Sequence, residues 1–331
     1  MTARAPLDPA VAAVRLATRR ALASHADAAV IVGVSGGADS LALASAVAFE
    51  APKLGIRALA VTVDHGLQKG SDAVAAAAAR TCTALGLEAR VIAVQVGGSG
   101  GPEAAARDAR RRALRAAAVE IGAPAILLAH TLDDQAETVL LGLARGAGAA
   151  SLAGMAGSRA DEGGVQWVRP LLDLRRTDTV AACAAQGLEP WRDPHNDDVA
   201  FARVRVRRRV LPVLEAEIGP GVAEALARTA DQLREDDEAF RDMIEEMIED
   251  IVEHAEAGIA ISVRALAANP AALRHRVIRH VVASEFGVSL TRSQTLEVAR
   301  LVTDWSGQGP IDLPGCRAQR TGARLTFAAR A

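Results

Sequence analysis

From about residue 29 to residue 145 the chain alternates short apolar runs, rich in valine and isoleucine, with longer stretches of helical periodicity. No other feature narrows the fold as much. The runs are AAVIVGV near 28–34, IRALAVTV near 56–63, ARVIAVQV near 89–96 and APAILLAH near 123–130, and helical stretches follow at 39–50, 71–85, 103–121 and 133–144. Strands that are apolar throughout, rather than at alternate positions, are buried on both faces. With a helix after each, they predict βαβ units and an α/β fold built on a Rossmann-like parallel sheet. Ligands of such sheets bind outside the carboxyl ends of the strands. The residues just after each strand are therefore where chemistry is expected.

The rest of the chain reads differently. Residues 145–170 are rich in Gly and Ala and predict a loop or short helix, then a strand at VQWVRPLL; a helix is expected over 175–186. Residues 187–210 read as irregular and then strongly basic. From Leu211 the character changes: a long helix or helix pair over 221–256, heavy in Glu and Asp, helices near 270–286 and 291–303, and a terminal β-hairpin. A chain of 331 residues is long for one ordinary domain. We expect a larger domain at 1–212 and a smaller, mainly helical domain at 213–331. The acidic helix at 235–256 reads as a solvated surface.

Charge and cysteine use exclude several classes. The net charge is −2, but residues 1–214 carry 25 basic and 21 acidic residues and the remainder 13 and 19. Global charge does not announce a nucleic-acid binder, so local clusters must carry that reading. Only Lys53 and Lys69 are lysines; the other basic residues are arginines, and tyrosine is absent. Few aromatics weaken any reading that needs base stacking. Cys82, Cys183 and Cys316 lie far apart, so neither a disulfide framework nor a CxxC site is present. The start lacks the apolar region of a secretory signal, and no run of eighteen apolar residues suggests a membrane span. A cytoplasmic protein without a membrane partner is expected.

Four post-strand segments carry the chemistry. After the first strand come Ser35-Gly36-Gly37-Ala38-Asp39-Ser40, leading into a helix. The glycines let backbone N–H groups approach a phosphate, Ser35 and Ser40 offer hydroxyls, and the helix N-terminus favours an anion. Neither GxxxxGK[ST] nor GxGxxG is present. Asp39 beside an anion cradle makes sense if it holds a Mg2+ bridging phosphates; a plain helix cap is the plainer alternative. The second strand ends in Asp64-His65-Gly66-Leu67, either a turn or part of the nucleotide or substrate pocket. After the third, Glu103, Arg107 and Arg110 fall on one helix face at i, i+4 and i+7. They form a solvated ion-pair stripe or a row of arginines aimed at phosphates of RNA or ATP.

The fourth strand ends at His130, followed by Thr131-Leu132-Asp133-Asp134-Gln135-Ala136-Glu137-Thr138. Asp133 and Glu137 share a helix face. Either aspartate alone could be a cap, but the whole run at a strand's carboxyl end points to function. Arg203, Arg205 and Arg207, at i, i+2 and i+4, suit one face of an extended segment or a loop better than a helix; a solvated basic run is the alternative.

SGGADS resembles the loop of the PP-loop ATP pyrophosphatases. Together with VDHGL, ExxAR, HTLDDQAET, Arg145-Gly146, Arg169-Pro170-Leu171-Leu172, Asp193-xx-Asn196 and the 203–207 run, in that order, the chain resembles the tRNA-isoleucine lysidine synthetases over roughly 28–212. Residues 213–331 resemble that family's helical second domain more loosely; the resemblance implies an ATP-binding catalytic domain at 1–212 and a tRNA-contacting domain at 213–331. Arg111 stands where the family usually has Tyr, and Val204 where it usually has Asn. The chain looks like the short form of the family.

The resemblance implies an ATP-dependent ligase that adenylates the wobble cytidine of a tRNA-Ile with a CAU anticodon, then joins free L-lysine to it with loss of AMP. The tRNA would then decode AUA as isoleucine. It implies ATP at Ser35, Gly36, Gly37, Ala38, Asp39 and Ser40, and Mg2+ at Asp39 and Asp133. Asp39, Asp133, Glu137 and His130 would be catalytic. Asp64, His65, Glu103, Arg107, Arg110, Arg203 and Arg207 would hold substrate. A homodimer is compatible with it. Lysine's amine, with a pKa of about 10.4, must lose a proton before attack; Glu137, Asp133 and Asp64 are the candidate bases, in that order. Three rivals remain: a tRNA thiolase, which would need clustered cysteines; a small-molecule amidating ligase, which would need an ammonia source; and a non-catalytic nucleotide-binding regulator.

Overall fold

A computed structural model describes residues 7–330 except 69, 98–101, 147 and 256–257; the side chains of 102, 103, 195 and 253–255 also fall outside the description. By internal contacts the chain divides into two compact units, the first ending at Arg234 and the second beginning at Glu235.

The first unit runs α1 (Pro9–Leu22), β1 (Ala29–Gly33), α2 (Ala38–Glu50), β2 (Arg57–Asp64), α3 (Ser71–Ala84), β3 (Glu88–Ala93), α4 (Pro102–Ile121), β4 (Ala125–Leu127) and α5 (Leu132–Ala144). It continues through α6 (Ala149–Leu152), β5 (Ser158–Ala160), β6 (Gln166–Val168), α7 (Arg176–Ala185), α8 (Ala202–Arg205), α9 (Leu211–Glu217) and the start of α10 (Val222–Ile251). The sheet order is β3-β2-β1-β4-β6-β5. All pairings are parallel except β5 with β6. The expected Rossmann-like sheet is therefore present. β5 has no counterpart in the sequence reading because its three residues are all exposed and leave no hydrophobic pattern.

Successive residues of β1 face opposite layers, as strand geometry requires. Val30 and Val32 pack with Val14 and Leu22 of α1, Leu41 and Val47 of α2, and Ala182 of α7. Ile31 packs on the other side with Leu59, Val61, Ile126, Trp167 and Leu114 of α4. Full burial of a side chain such as Ile31 stabilises by about 1.5–3 kcal/mol. This double-sided burial produces the uninterrupted apolar runs. Because β1 lies between β2 and β4, the loops after all three strands meet at one edge of the sheet.

The segment after α7 departs from the sequence expectation. Residues 202–217 are helical rather than extended: α8 passes through a wide π-type turn over Val206–Val210 into α9. Val204, Val206 and Leu211 are buried, and Val206 and Leu211 pack with Leu132 and Ala136 of α5 and Ala223 and Ala227 of α10. Burial at those positions selects the helix over the extended form that the charge spacing suggested.

The second unit contains the rest of α10, β7 (Val252–Ala255), β8 (Gly258–Ser262), α11 (Val263–Ala268), α12 (Ala271–Phe286), α13 (Arg292–Thr303), β9 (Ile311–Leu313), β10 (Cys316–Thr321) and β11 (Arg324–Ala329). The expected terminal hairpin is β10–β11, and it belongs to a five-stranded antiparallel sheet, β7-β8-β11-β10-β9. Residues 252–255, expected to be helical, pair instead with β8. Phe327, Leu325 and Ile261 of the sheet share a core with Val277, Val281, Val298 and Leu301 of the helices, and with Ile244 of α10. Among the described residues, no helix is long and apolar enough to cross a membrane.

Candidate active site

A cavity of about 360 Å3 opens at the carboxyl edge of β1, β2 and β4 in the first unit. Ser35, Gly37, Asp39 and Ser40 line it after β1, Asp64 and His65 after β2, and His130 after β4, with Arg110 from α4. The cradle is formed by local bonds. Gly37 caps α2, and Ser40 Oγ donates to Gly37 O at 2.9 Å while accepting from Ser35 N at 3.2 Å. Gly36 sits at φ +84°, in the left-handed region that other side chains rarely adopt; the position is built for glycine. Trp191 N donates to Gly36 O at 2.9 Å. Trp191, Asp193 and Asn196 thus reach the same cavity from the segment after α7.

Three cavity residues differ in their affinity for protons. Burial pushes the Asp39 carboxyl above its ordinary value, against opposing contacts from Thr179 and Arg176. Asp64 is held below the usual carboxylate range by the Ser71 hydroxyl and the Gly66 N–H, the latter at 3.0 Å. His130 is pushed down to about 4, first by burial; Arg169, Arg110 and Arg107 add to this and Asp134 opposes it. It enters the cavity as a neutral imidazole, with Nδ1 buried and unpartnered among the described residues.

Asp133, Asp134 and Glu137 turn away from the cavity into an ion-pair network. Asp133 accepts from Arg176 N at 2.7 Å and meets Arg175 Nη2 at 3.2 Å. Arg175 also pairs with Glu224 at 2.6 Å. Asp134 caps α5 through Thr131 N at 2.9 Å and accepts from Arg176 Nη2 at 2.8 Å. Burial opposes its ionisation, but Arg176 and the Thr131 N–H outweigh this and lower its pKa. Glu137 is fully buried. Arg207 Nε and Nη2 reach it at 2.7 and 3.1 Å, Arg176 Nη1 at 3.3 Å and Arg203 Nε at 3.7 Å.

The helical spacing of 203 and 207 therefore turns both arginines onto one buried carboxylate. Arg205 donates to Val199 O and Ala200 O instead. Arg107 stands exposed on α4, and the Glu103 side chain lies outside the described residues. The structure brings Ser35, Asp39, Ser40, Asp64, His65, Arg110 and His130 to one cavity. It groups Asp133, Glu137, Arg203 and Arg207 with the network behind it.

Sequence reasoning passed over Arg175, Arg176, Thr179 and Trp191. A signal for the arginines existed: both stand at the start of α7, where the helix dipole disfavours cations unless acids compensate. Thr179 Oγ1 hydrogen-bonds to Asp39 Oδ1. Among the described residues, no three His, Cys, Asp or Glu side chains gather as a metal cage. Mg2+ in nucleotide sites needs only one or two carboxylates besides phosphates and water, which Asp39 satisfies.

Residues 12–214 match the PP-loop domain family and residues 261–326 a TilS substrate-binding domain. The chain is 60% identical over 302 residues to a tRNA(Ile)-lysidine synthase of Leifsonia xyli, covering 91% of this chain and 90% of that one. It is 50% identical to that of Salinispora arenicola, covering 97% of each. In fold it resembles the U34-tRNA thiolase NcsA from Methanococcus maripaludis, at 20% identity and TM-score 0.59, covering 68% of this chain and 80% of that one. With an identity of 60% over nine-tenths of both chains and both family domains in place, the chain belongs to the tRNA(Ile)-lysidine synthase family.

Proposed function

We propose that the cavity binds ATP by its phosphates at Ser35–Ser40 and carries out lysidine formation in two steps. In the first, the carbonyl oxygen of the wobble cytidine in a CAU-anticodon tRNA-Ile attacks the α-phosphorus. A P–O bond forms, the bond to the β-phosphate breaks, and diphosphate leaves. In the second, the ε-amine of lysine, having passed its ammonium proton to Asp64, attacks the activated ring carbon; a C–N bond forms, AMP leaves with the oxygen, and the further proton lost by the nitrogen goes to water. The observation that carries this reading is the convergence of the cradle, Asp39, Asp64 and neutral His130 on one cavity.

The residues divide the work. Backbone N–H groups at the start of α2 and the Ser35 hydroxyl face the phosphates, where negative charge grows as diphosphate departs. Mg2+, when bound, supplies charge neutralisation on the phosphates. We assign its protein contact to Asp39, because Asp39 lines the cavity and Asp133 does not. Asp64, held ionised, serves as counter-ion for the lysine ammonium at the cavity edge. His130 presents its neutral imidazole to the cavity, and Arg110 faces anionic groups. The reading places the enzyme in the cytoplasm, where tRNA, ATP and lysine meet.

The test is to incubate the protein with ATP, labelled lysine and a CAU-anticodon tRNA-Ile transcript. Label should enter RNA with one AMP and one diphosphate per lysine; AMP release without RNA label overturns the reading. Asp39→Asn should abolish tRNA-dependent diphosphate release with the circular dichroism spectrum unchanged. Full activity in that variant removes Asp39 from the phosphate site.

A further inference from the structure

We infer that Arg176 is a positioning residue for the adenylation step, setting the Asp39 carboxylate from behind the cavity through the start of α7. The inference rests on the reading of Asp39 given above. Arg176 is absent from the cavity lining, so it acts through another residue. Its Nε stands 3.5 Å from Asp39 Oδ2, while Thr179, one turn further along α7, hydrogen-bonds to Oδ1. Both oxygens of Asp39 are thus addressed from one helix start. The single proton of the Thr179 hydroxyl is shared between Asp39 Oδ1 and Arg176 O, the latter at 2.8 Å.

The opposite edge of the same guanidinium is anchored on α5. Nη2 donates to Asp134 Oδ1 at 2.8 Å, Nη1 to Glu137 Oε1 at 3.3 Å, and the backbone N–H to Asp133 Oδ2 at 2.7 Å. Glu137 is fully buried and fixed from its far side by Arg207. Arg176 therefore ties the first turn of α2, which carries Asp39, to the first turn of α5, which follows His130. Its planar fork reaches three carboxylates at once, whereas a lysine ammonium is a single point charge on a flexible stem.

Loosening this brace should slow chemistry rather than weaken RNA binding. A misplacement of about 1 Å at a reacting group can cost about 100-fold. For Arg176→Lys, kcat for tRNA-dependent diphosphate release should fall by about 100-fold, with KM for tRNA within about twofold of wild type. Thr179→Val keeps every charge and nearly the same volume; its kcat should fall about tenfold, again without a change in KM for tRNA. Rates are expressed per folded molecule, with folded fraction from circular dichroism. A merely structural role predicts fewer folded molecules with wild-type kcat. Should Arg176→Lys not fold, Thr179→Val decides alone. Wild-type kcat in the folded variant, or a loss confined to KM for tRNA, overturns the inference. Wild-type protein run alongside separates the two claims. If wild type releases no diphosphate with tRNA, the proposed function fails; if wild type and both variants release it equally, only the role of Arg176 fails.

Discussion

His130 shows how far one residue can be read from sequence. Its place just after a strand of a parallel sheet was legible, because strand ends in such sheets face ligands. Its charge state was not, since the groups that set it come from distant parts of the chain: Arg107 and Arg110 on α4, Arg169 after β6, and Asp134 on α5. The same cause gives a pH dependence. Protonating His130 is harder in the folded protein, where its pKa is about 4, than in the unfolded chain, where it is near 6.5. Its contribution to stability is therefore complete above about pH 6.5 and is lost as pH falls toward about 4. His130→Gln should flatten the fall in unfolding free energy across this window by about one proton's slope. Urea unfolding at a series of pH values checks this, and identical slopes in both proteins refute it. Asp39 and Asp64 make the same point. Their positions followed from the motifs, but the raised pKa of one and the lowered pKa of the other depend on burial, Thr179, Arg176 and Ser71.

Among the elements, the strands and helices of the first unit were legible because the central strands β1, β2 and β4 are buried on both sides and a helix follows each. The basic stretch at 203–207 was misjudged because arginines at every second position imitate an extended face. The information that decides for a helix is the burial of Val204, Val206 and Leu211 and the carboxylate of Glu137 opposite. In α10 beyond Arg234 the acidic residues other than Asp237 are exposed, away from a stripe formed by Phe240, Ile244, Met247, Ile248 and Ile251. The pairing of α8 and its wide turn with α5 can be tested directly. Removing Arg207 leaves a fully buried carboxylate with two of its three arginines. Arg207→Ala should destabilise the first unit by about 2–3 kcal/mol, below the about 3–5 kcal/mol of a buried pair broken outright. Adding Glu137→Gln should recover part of that. A single variant within about 0.5 kcal/mol of wild type in denaturant unfolding means the contact does not support the fold.

For the whole molecule, cores confined to one unit or the other imply two separable stabilities. The second unit was foreseen as helices with a hairpin. Its five-stranded sheet escaped notice because β8 pairs with β11, more than sixty residues away in sequence. Phe327, 1% exposed, lies at the centre of that unit's core. Phe327→Ala should lower that unit's stability by about 3–5 kcal/mol. In calorimetry one transition should move while the transition that responds to ATP stays in place; a single transition moving as a whole would mean the cores unfold together. The brace centred on Arg176 has a consequence on another timescale, that of descent. Three acids lean on one guanidinium, so a lineage that exchanges any of them strands a charge until a second change restores the balance. Asp39, Asp134, Glu137 and Arg176 should accordingly be inherited as a single unit, their codons drifting together or not at all.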